Sequence, residues 1–167
     1  MYFIEYIDDK RWIFHGTATL VSYNLGAKLT QRVSNTLKIA TKISIGVGVA
    51  FYLLVLFFGD SFIRLFSNQD GQLTELTFGA IQIYGLSYIF IGINLLASGY
   101  LTALGQPKYS LIVSLSYTFV FVLIGLSIFP QFLGASGLWW AVPFANMISI
   151  LISFYFIKRI NKKLEFL

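Results

Sequence analysis

The 167-residue chain has no cysteine and a single histidine, His15. Disulfides and thiolate metal sites are therefore excluded, and one imidazole without partner groups leaves little for zinc or acid-base catalysis. No G-x-S-x-G elbow and no P-loop occurs, so the expectation is that the protein is not an enzyme, with no catalytic, metal or cofactor site. Charge is also scarce: 11% of residues are charged against 57% hydrophobic, with a mean hydropathy of +0.75. A soluble fold of this length cannot hide that much apolar surface, so lipid is the expected solvent and an all-α integral membrane protein the expected class. The N-terminus lacks a signal peptide's apolar run, since Glu5, Asp8, Asp9, Lys10 and Arg11 interrupt it.

What is present is a set of long uncharged runs. None of the residues from Ile43 to Gly59, Leu76 to Pro107 or Tyr109 to Ile157 is charged. A crossing helix needs roughly 20 apolar residues, so the first two runs each make one span, the first recruiting Lys42 by snorkelling. The third is too long for one crossing and carries Pro130, Gly134 and Gly137 near its middle, which predicts a turn with a helix on each side. Four full transmembrane helices are thus expected, about 40–59, 76–103, 109–130 and 138–157. Before them, Trp12 to Gly26 is too short to cross and reads as the end of a helix that begins elsewhere.

The net charge of +5 does not point to nucleic acid, because the basic residues gather in short segments between the apolar runs. Lys28, Arg32, Lys38 and Lys42 precede the first full helix, Lys108 lies between the second and third, and Lys158, Arg159, Lys162 and Lys163 follow the last. Asp60, Asp70 and Glu75 accompany Arg64 on the other side. The positive-inside rule makes the basic segments and the C-terminus cytoplasmic in a multi-pass plasma (inner) membrane protein, with Trp139 and Trp140 in the outer aromatic belt. His15 is expected to be an interfacial or a misread residue.

At 100° per residue, Tyr84, Ser87, Asn94, Ser98 and Thr102 fall in one stripe about 80° wide. A polar stripe in lipid must face water or protein, so it either lines a substrate pathway or bonds neighbouring helices. Asn94 is the strongest single candidate, because an amide at membrane depth is costly unless its hydrogen bonds are made. Gln82 lies off the stripe, nearer the outer surface. The adjacent face carries Gly85, Gly92 and Gly99 every seven residues, a spacing that lets another backbone come close. In the last helix Pro143 removes a donor and Asn146 follows three residues on, the composition of a locally opened helix; a kink is favoured over an ion or substrate site. No expected span holds a carboxylate at membrane depth.

Three stretches resemble the MATE (multidrug and toxic compound extrusion) family. Gly16-Thr-Ala-Thr-Leu-Val-Ser-Tyr-Asn-Leu-Gly-Ala-Lys28, followed by Arg32, is similar to the end of the eighth helix and the cytoplasmic loop after it. Tyr100-Leu-Thr-Ala-Leu-Gly-Gln-Pro-Lys108 looks like the turn after the tenth helix, and Gly134-x-x-Gly137-x-Trp139-x-x-x-Pro143 like the eleventh-to-twelfth connection. The four spans would be helices nine to twelve, part of the C-terminal lobe of a two-lobed, twelve-helix transporter, occupying residues 16–158 with a basic tail at 159–167. Residues 1–15 depart from the family pattern, as if read in another frame or joined from elsewhere.

The resemblance implies efflux of amphipathic, often cationic, drugs by antiport against sodium or protons. Some members bind the ion through carboxylates on the seventh and tenth helices, but the tenth has none here, so the coupling ion is expected outside this chain. Cavity lining carries over to Tyr84, Ser87, Asn94 and Ser98. A fragment inactive without the N-terminal lobe or another chain is expected. The alternatives are a lipid-linked saccharide flippase of the same superfamily, against which Gly105-Gln-Pro-Lys108 and Ser22-Tyr-Asn24 weigh, and a non-transporting helical remnant.

Overall fold

The computed structural model describes residues 9–66 and 71–164, and among them there is no strand. The elements are α1 (Asp9–Gly26), α2 (Thr30–Phe66), α3 (Gly71–Gly85), α4 (Ser87–Ala103) and α5 (Pro107–Leu115). They continue as a π-helical segment (Ser116–Val120), α6 (Phe121–Leu133), a short 3-10 turn (Gly134–Ser136) and α7 (Gly137–Leu164). Of the anomalous N-terminal segment, residues 1–8 lie outside the described residues, and Asp9 to His15 belong to the backbone of α1.

Among the described residues three helical stretches are long and apolar enough to cross a membrane: Thr30–Ser61, Leu76–Ala103 and the 56-residue Pro107–Lys162. At 1.5 Å per residue the last is about 84 Å long, far more than the ~30 Å hydrocarbon layer, so it must double back. It does so at Gly134, whose backbone (φ 59, ψ −142) is open only to glycine. Gly137 then lies against the Phe129 backbone and Gly125 against Ala141, the pairing order of an antiparallel hairpin, and the Phe129 and Phe144 rings meet edge to face with centres 4.9 Å apart. The fold therefore provides four crossings from three stretches. Pro130 does not make the turn, as expected of it, but stays inside α6.

The helix limits differ from expectation for local reasons. The first full helix starts at Thr30 instead of 40, because Thr36 and Thr41 satisfy their hydroxyls on the carbonyls of Arg32 (2.9 Å) and Leu37 (2.8 Å) within the helix. The expected single helix 76–103 is interrupted at Leu86. There Leu86 and Ile89 donate to carbonyls three residues back, and the Ser87 hydroxyl takes the Tyr84 carbonyl at 2.5 Å, a competition that bends helices. The last helix runs to Leu164, so the basic tail is largely helical. Pro143 sits within α7, which continues through it as helix.

Two turns are closed by the same device. Leu29 donates to Asn24 and Lys28 to Leu25 after α1; Gln106 donates to Leu101 and Gly105 to Thr102 after α4. Both are Schellman closures with a left-handed residue at the same place, Gly105 (φ 70) in one and Lys28 (φ 58) in the other.

The buried apolar cluster is small and sits at the basic end: Val21, Val33, Tyr100, Leu101, Leu104, Val113 and Ile160. Elsewhere large apolar side chains face outward, with Phe132 80% and Phe57 76% exposed. Lipid is as apolar as leucine, so it gives helices no reason to bury such residues; close backbones and interhelical hydrogen bonds must hold the bundle. Gly48 supplies one such approach, since a Cβ there would lie 2.8 Å from Ile89 Cα. Gly85 and Gly92 pack on Tyr52, Val55 and Ser44, so the small face of α3 and α4 meets α2.

Candidate functional site

The polar stripe of α3 and α4 divides into three environments. Tyr84 is 38% exposed and packs edge-on against Tyr88, ring centres 6.1 Å apart, with Phe51 of α2 6.4 Å from Tyr88. The three rings form a partly open aromatic surface. Below it on α2 and α3 runs a groove of about 640 Å³ lined by Phe51, Leu54, Val55, Phe58 and Ile81. Ser87 is fully buried at the Leu86 bend, its hydroxyl spent on Tyr84.

Asn94, also fully buried, turns toward α7. Its amide nitrogen donates to the Asn146 main-chain carbonyl at 2.9 Å and reaches Asn146 Oδ1 at 3.3 Å. Its Oδ1 accepts from Ser153 Oγ at 3.1 Å, so both ends of the amide are used. Asn146 in turn donates to the Val142 carbonyl at 2.9 Å. Ser149, one turn from both Asn146 and Ser153, is fully buried with no hydrogen-bond partner for its hydroxyl. The structure thus joins two residues that sequence spacing treated separately, Asn94 and Asn146. The Asn146 amide serves Val142, one residue before Pro143, instead of the carbonyl of residue 139 that the proline leaves without its donor.

Ser98 turns the other way, toward the helix after the basic turn. Its Oγ lies 2.8 Å from both Ser110 Oγ and Ser114 Oγ, and Thr102 donates to Ser110 Oγ at 2.8 Å. This four-hydroxyl cluster ties α4 to α5 just before the π-helical segment. There Ser116 and Thr118 bond back to the carbonyls of Ile112 and Ser114, which competes with regular helical bonding. Sequence reasoning missed Ser110, Ser114, Ser149 and Ser153. The signal was available in α7, where Ser149 and Ser153 follow Asn146 at three and seven residues and so share its face.

Among the described residues no cluster of His, Cys, Asp or Glu could hold a metal ion. The residues named above are uncharged, and they can orient helices, accept and donate hydrogen bonds, and present aromatic faces. The Asp70 and Glu75 side chains, and that of His15, lie outside the described residues.

A bundle of long apolar helices with outward-facing apolar side chains and polar seams between them defines an integral membrane protein. The MatE family model matches residues 13–128, and the chain belongs to that family of transporters. It is 26% identical over 150 residues to multidrug export protein MepA of Staphylococcus haemolyticus, covering 89% of this chain and 32% of that protein. It is 27% identical over 141 residues to an FAD transporter of Shewanella oneidensis, covering 84% of this chain and 31% of that protein. Inward-facing and outward-facing structures of a multidrug resistance MATE family transporter of the MOP superfamily both superpose with a TM-score of 0.83 at 18% identity. They cover 89% and 90% of this chain and 35% and 34% of theirs, a likeness of fold. The chain spans about a third of the length of the curated relatives it matches.

Proposed function

We propose that this chain forms part of the C-terminal lobe of a MATE-type exporter that expels amphipathic, often cationic, drugs across the plasma (inner) membrane in exchange for sodium or protons. The basic end of the bundle is cytoplasmic in this reading, following the distribution of Lys and Arg. The observation that carries the cargo class is the aromatic surface of Phe51, Tyr84 and Tyr88 on a bundle whose spans hold no Lys or Arg between Ile43 and Gly59 or between Leu76 and Pro107. Aromatic faces attract organic cations, and an anionic cargo would find no counter-charge there.

Tyr84 meets cargo directly at the open end of the stripe. Ser87, Asn94 and Ser98 fix the wall behind it by bonding to their own helix, to α7 and to α5. Pro143 and Asn146 hold the α7 side of that wall. The equal fit of this bundle to inward- and outward-facing relatives supports its moving as one body while a second lobe rocks against it. The coupling ion binds on residues outside this chain, since Asp60 is the sole acid among the described side chains and lies at the end of its span.

Expressed alone in a drug-hypersensitive host, the 167 residues leave susceptibility to ethidium unchanged, because an alternating pathway needs both lobes. Joined in frame to the first seven helices and the start of the eighth of a MATE exporter, they support ethidium efflux that Tyr84→Ala weakens. A raised inhibitory concentration from the 167 residues alone would overturn the proposal; efflux by the joined protein indifferent to Tyr84→Ala would remove the aromatic wall from it.

A further inference from the structure

A second cavity, separate from the stripe, opens at the basic end of the bundle. It encloses about 380 Å³ between the start of α2 and the ends of α4 and α7, lined by polar side chains that include Thr30, Ser34, Asn35, Lys38, Tyr100 and Asn161. Among the described residues no carboxylate lines it. On α2, Gln31, Ser34, Asn35 and Lys38 recur at the three- and four-residue spacing that places side chains on one face.

The far wall is set by a single hydrogen bond. Tyr100 is 1% exposed, and its hydroxyl donates to Asn161 Oδ1 at 2.7 Å. With its oxygen occupied, Asn161 has its amide N–H groups as the half available to a ligand. The cavity therefore offers donors from hydroxyls and amides, and among the described residues that line it Lys38 alone carries a formal charge. The sequence around it is predominantly basic: no Asp or Glu occurs from Lys10 to Gly59, and Lys158, Arg159 and Lys162 flank Asn161 on α7, with one acid, Glu165, following beyond the described residues. Tyr100 and Asn161 each lie three residues before the last residue of their helix, about 5 Å along the axis. That is the depth of the headgroup layer if the helix ends reach the bilayer surface.

We propose that this cavity binds a phosphate group, carried by the headgroup of an anionic phospholipid or free in solution. Lys38 supplies the counter-charge, and Thr30, Ser34, Asn35 and Asn161 donate hydrogen bonds to its oxygens. Tyr100 is a positioning residue that holds the Asn161 amide in the donating sense. The site is independent of the cargo that the transporter carries.

The test uses the purified chain in detergent, titrated with phosphatidylglycerol or phosphatidylcholine and followed by native mass spectrometry. Inorganic phosphate is titrated against chloride at matched ionic strength and followed by thermal shift. The expected result is retention of phosphatidylglycerol over phosphatidylcholine, weakened about fivefold by Lys38→Gln, the equivalent of about 1 kcal/mol for one lysine near an anionic surface. Asn161→Asp removes the preference, and Lys108→Gln, outside the cavity, leaves it intact. Tyr100→Phe lowers the ratio of the two lipids, whereas a general packing defect would lower both alike. Asn35→Leu is the second lesion should Lys38→Gln fail to insert, with helical content checked by circular dichroism. Protection by phosphate without lipid preference assigns the site to the free ion. Absence of both effects, or equal losses in the Lys38 and Lys108 variants, overturns the proposal.

Discussion

Asn94 and Asn146 lock α4 to α7 through two contacts from one amide nitrogen, 2.9 Å to the main-chain carbonyl and 3.3 Å to the side-chain oxygen. The two helices run in the same direction, because Tyr100 further along α4 reaches Asn161 further along α7. Replacing Asn94 by Leu leaves the Ser153 hydroxyl without its acceptor and removes the interhelical donor. The expected loss is about 1–3 kcal/mol, read as a lower thermal midpoint of the purified chain. A double-mutant cycle with Asn146→Ala returns a coupling of about 0.6–1.7 kcal/mol, the range for membrane interhelical bonds.

Two serines on one face of α7 respond oppositely to the same change. Ser153→Ala takes the donor from Asn94 Oδ1 and destabilises by about 1 kcal/mol or more. Ser149→Ala removes a buried hydroxyl that has no partner and is neutral or stabilising. Equal destabilisation by both would contradict the hydrogen-bond assignment, and parallel melting curves in one detergent decide it.

Glycine-to-alanine changes also split by contact. At Gly48 a Cβ would meet Ile89 Cα at 2.8 Å and the Tyr88 carbonyl at 2.9 Å, and at Gly125 it would meet Ala141 Cα at 2.9 Å. Backbone cannot step aside, so Gly48→Ala and Gly125→Ala each destabilise by about 1–3 kcal/mol. A Cβ on Gly79 meets nothing within 4 Å, so Gly79→Ala stabilises by up to about 1 kcal/mol through helix propensity. The three variants are ranked by thermal midpoint.

Lys28 occupies the left-handed position that Gly105 fills in the equivalent turn. A side chain there costs about 1 kcal/mol relative to glycine, so Lys28→Gly raises the thermal midpoint. A lowered midpoint would mean that the Lys28 side chain contributes more than its backbone loses.

Much of the bundle was legible in the sequence because lipid enforces simple rules. Charge-free runs marked the spans, and Gly134 to Gly137 marked the reversal. The boundaries were less legible: α2 begins ten residues before the expected 40, since Thr36 and Thr41 can satisfy themselves inside a helix and so do not announce its end. The interruption at Leu86 was invisible, for it arises from a serine that takes a carbonyl its helix needs.

The stripe of Tyr84, Ser87, Asn94 and Ser98 shows where sequence reasoning stops. Helical periodicity alone determined that these side chains lie near one line along the axis, because 100° per residue is a property of the backbone. Only the tertiary structure decided that Ser87 bends its own helix, Asn94 joins Asn146 and Ser98 joins Ser110 and Ser114. Residues on one stripe can meet different neighbours when helices cross the stripe at different heights. Composition likewise determined that the chain lives in lipid, since no water-soluble core could hold so many apolar side chains. Which faces close on one another was decided by contact, because lipid rewards no apolar face above another and leaves the choice to small residues and hydrogen bonds.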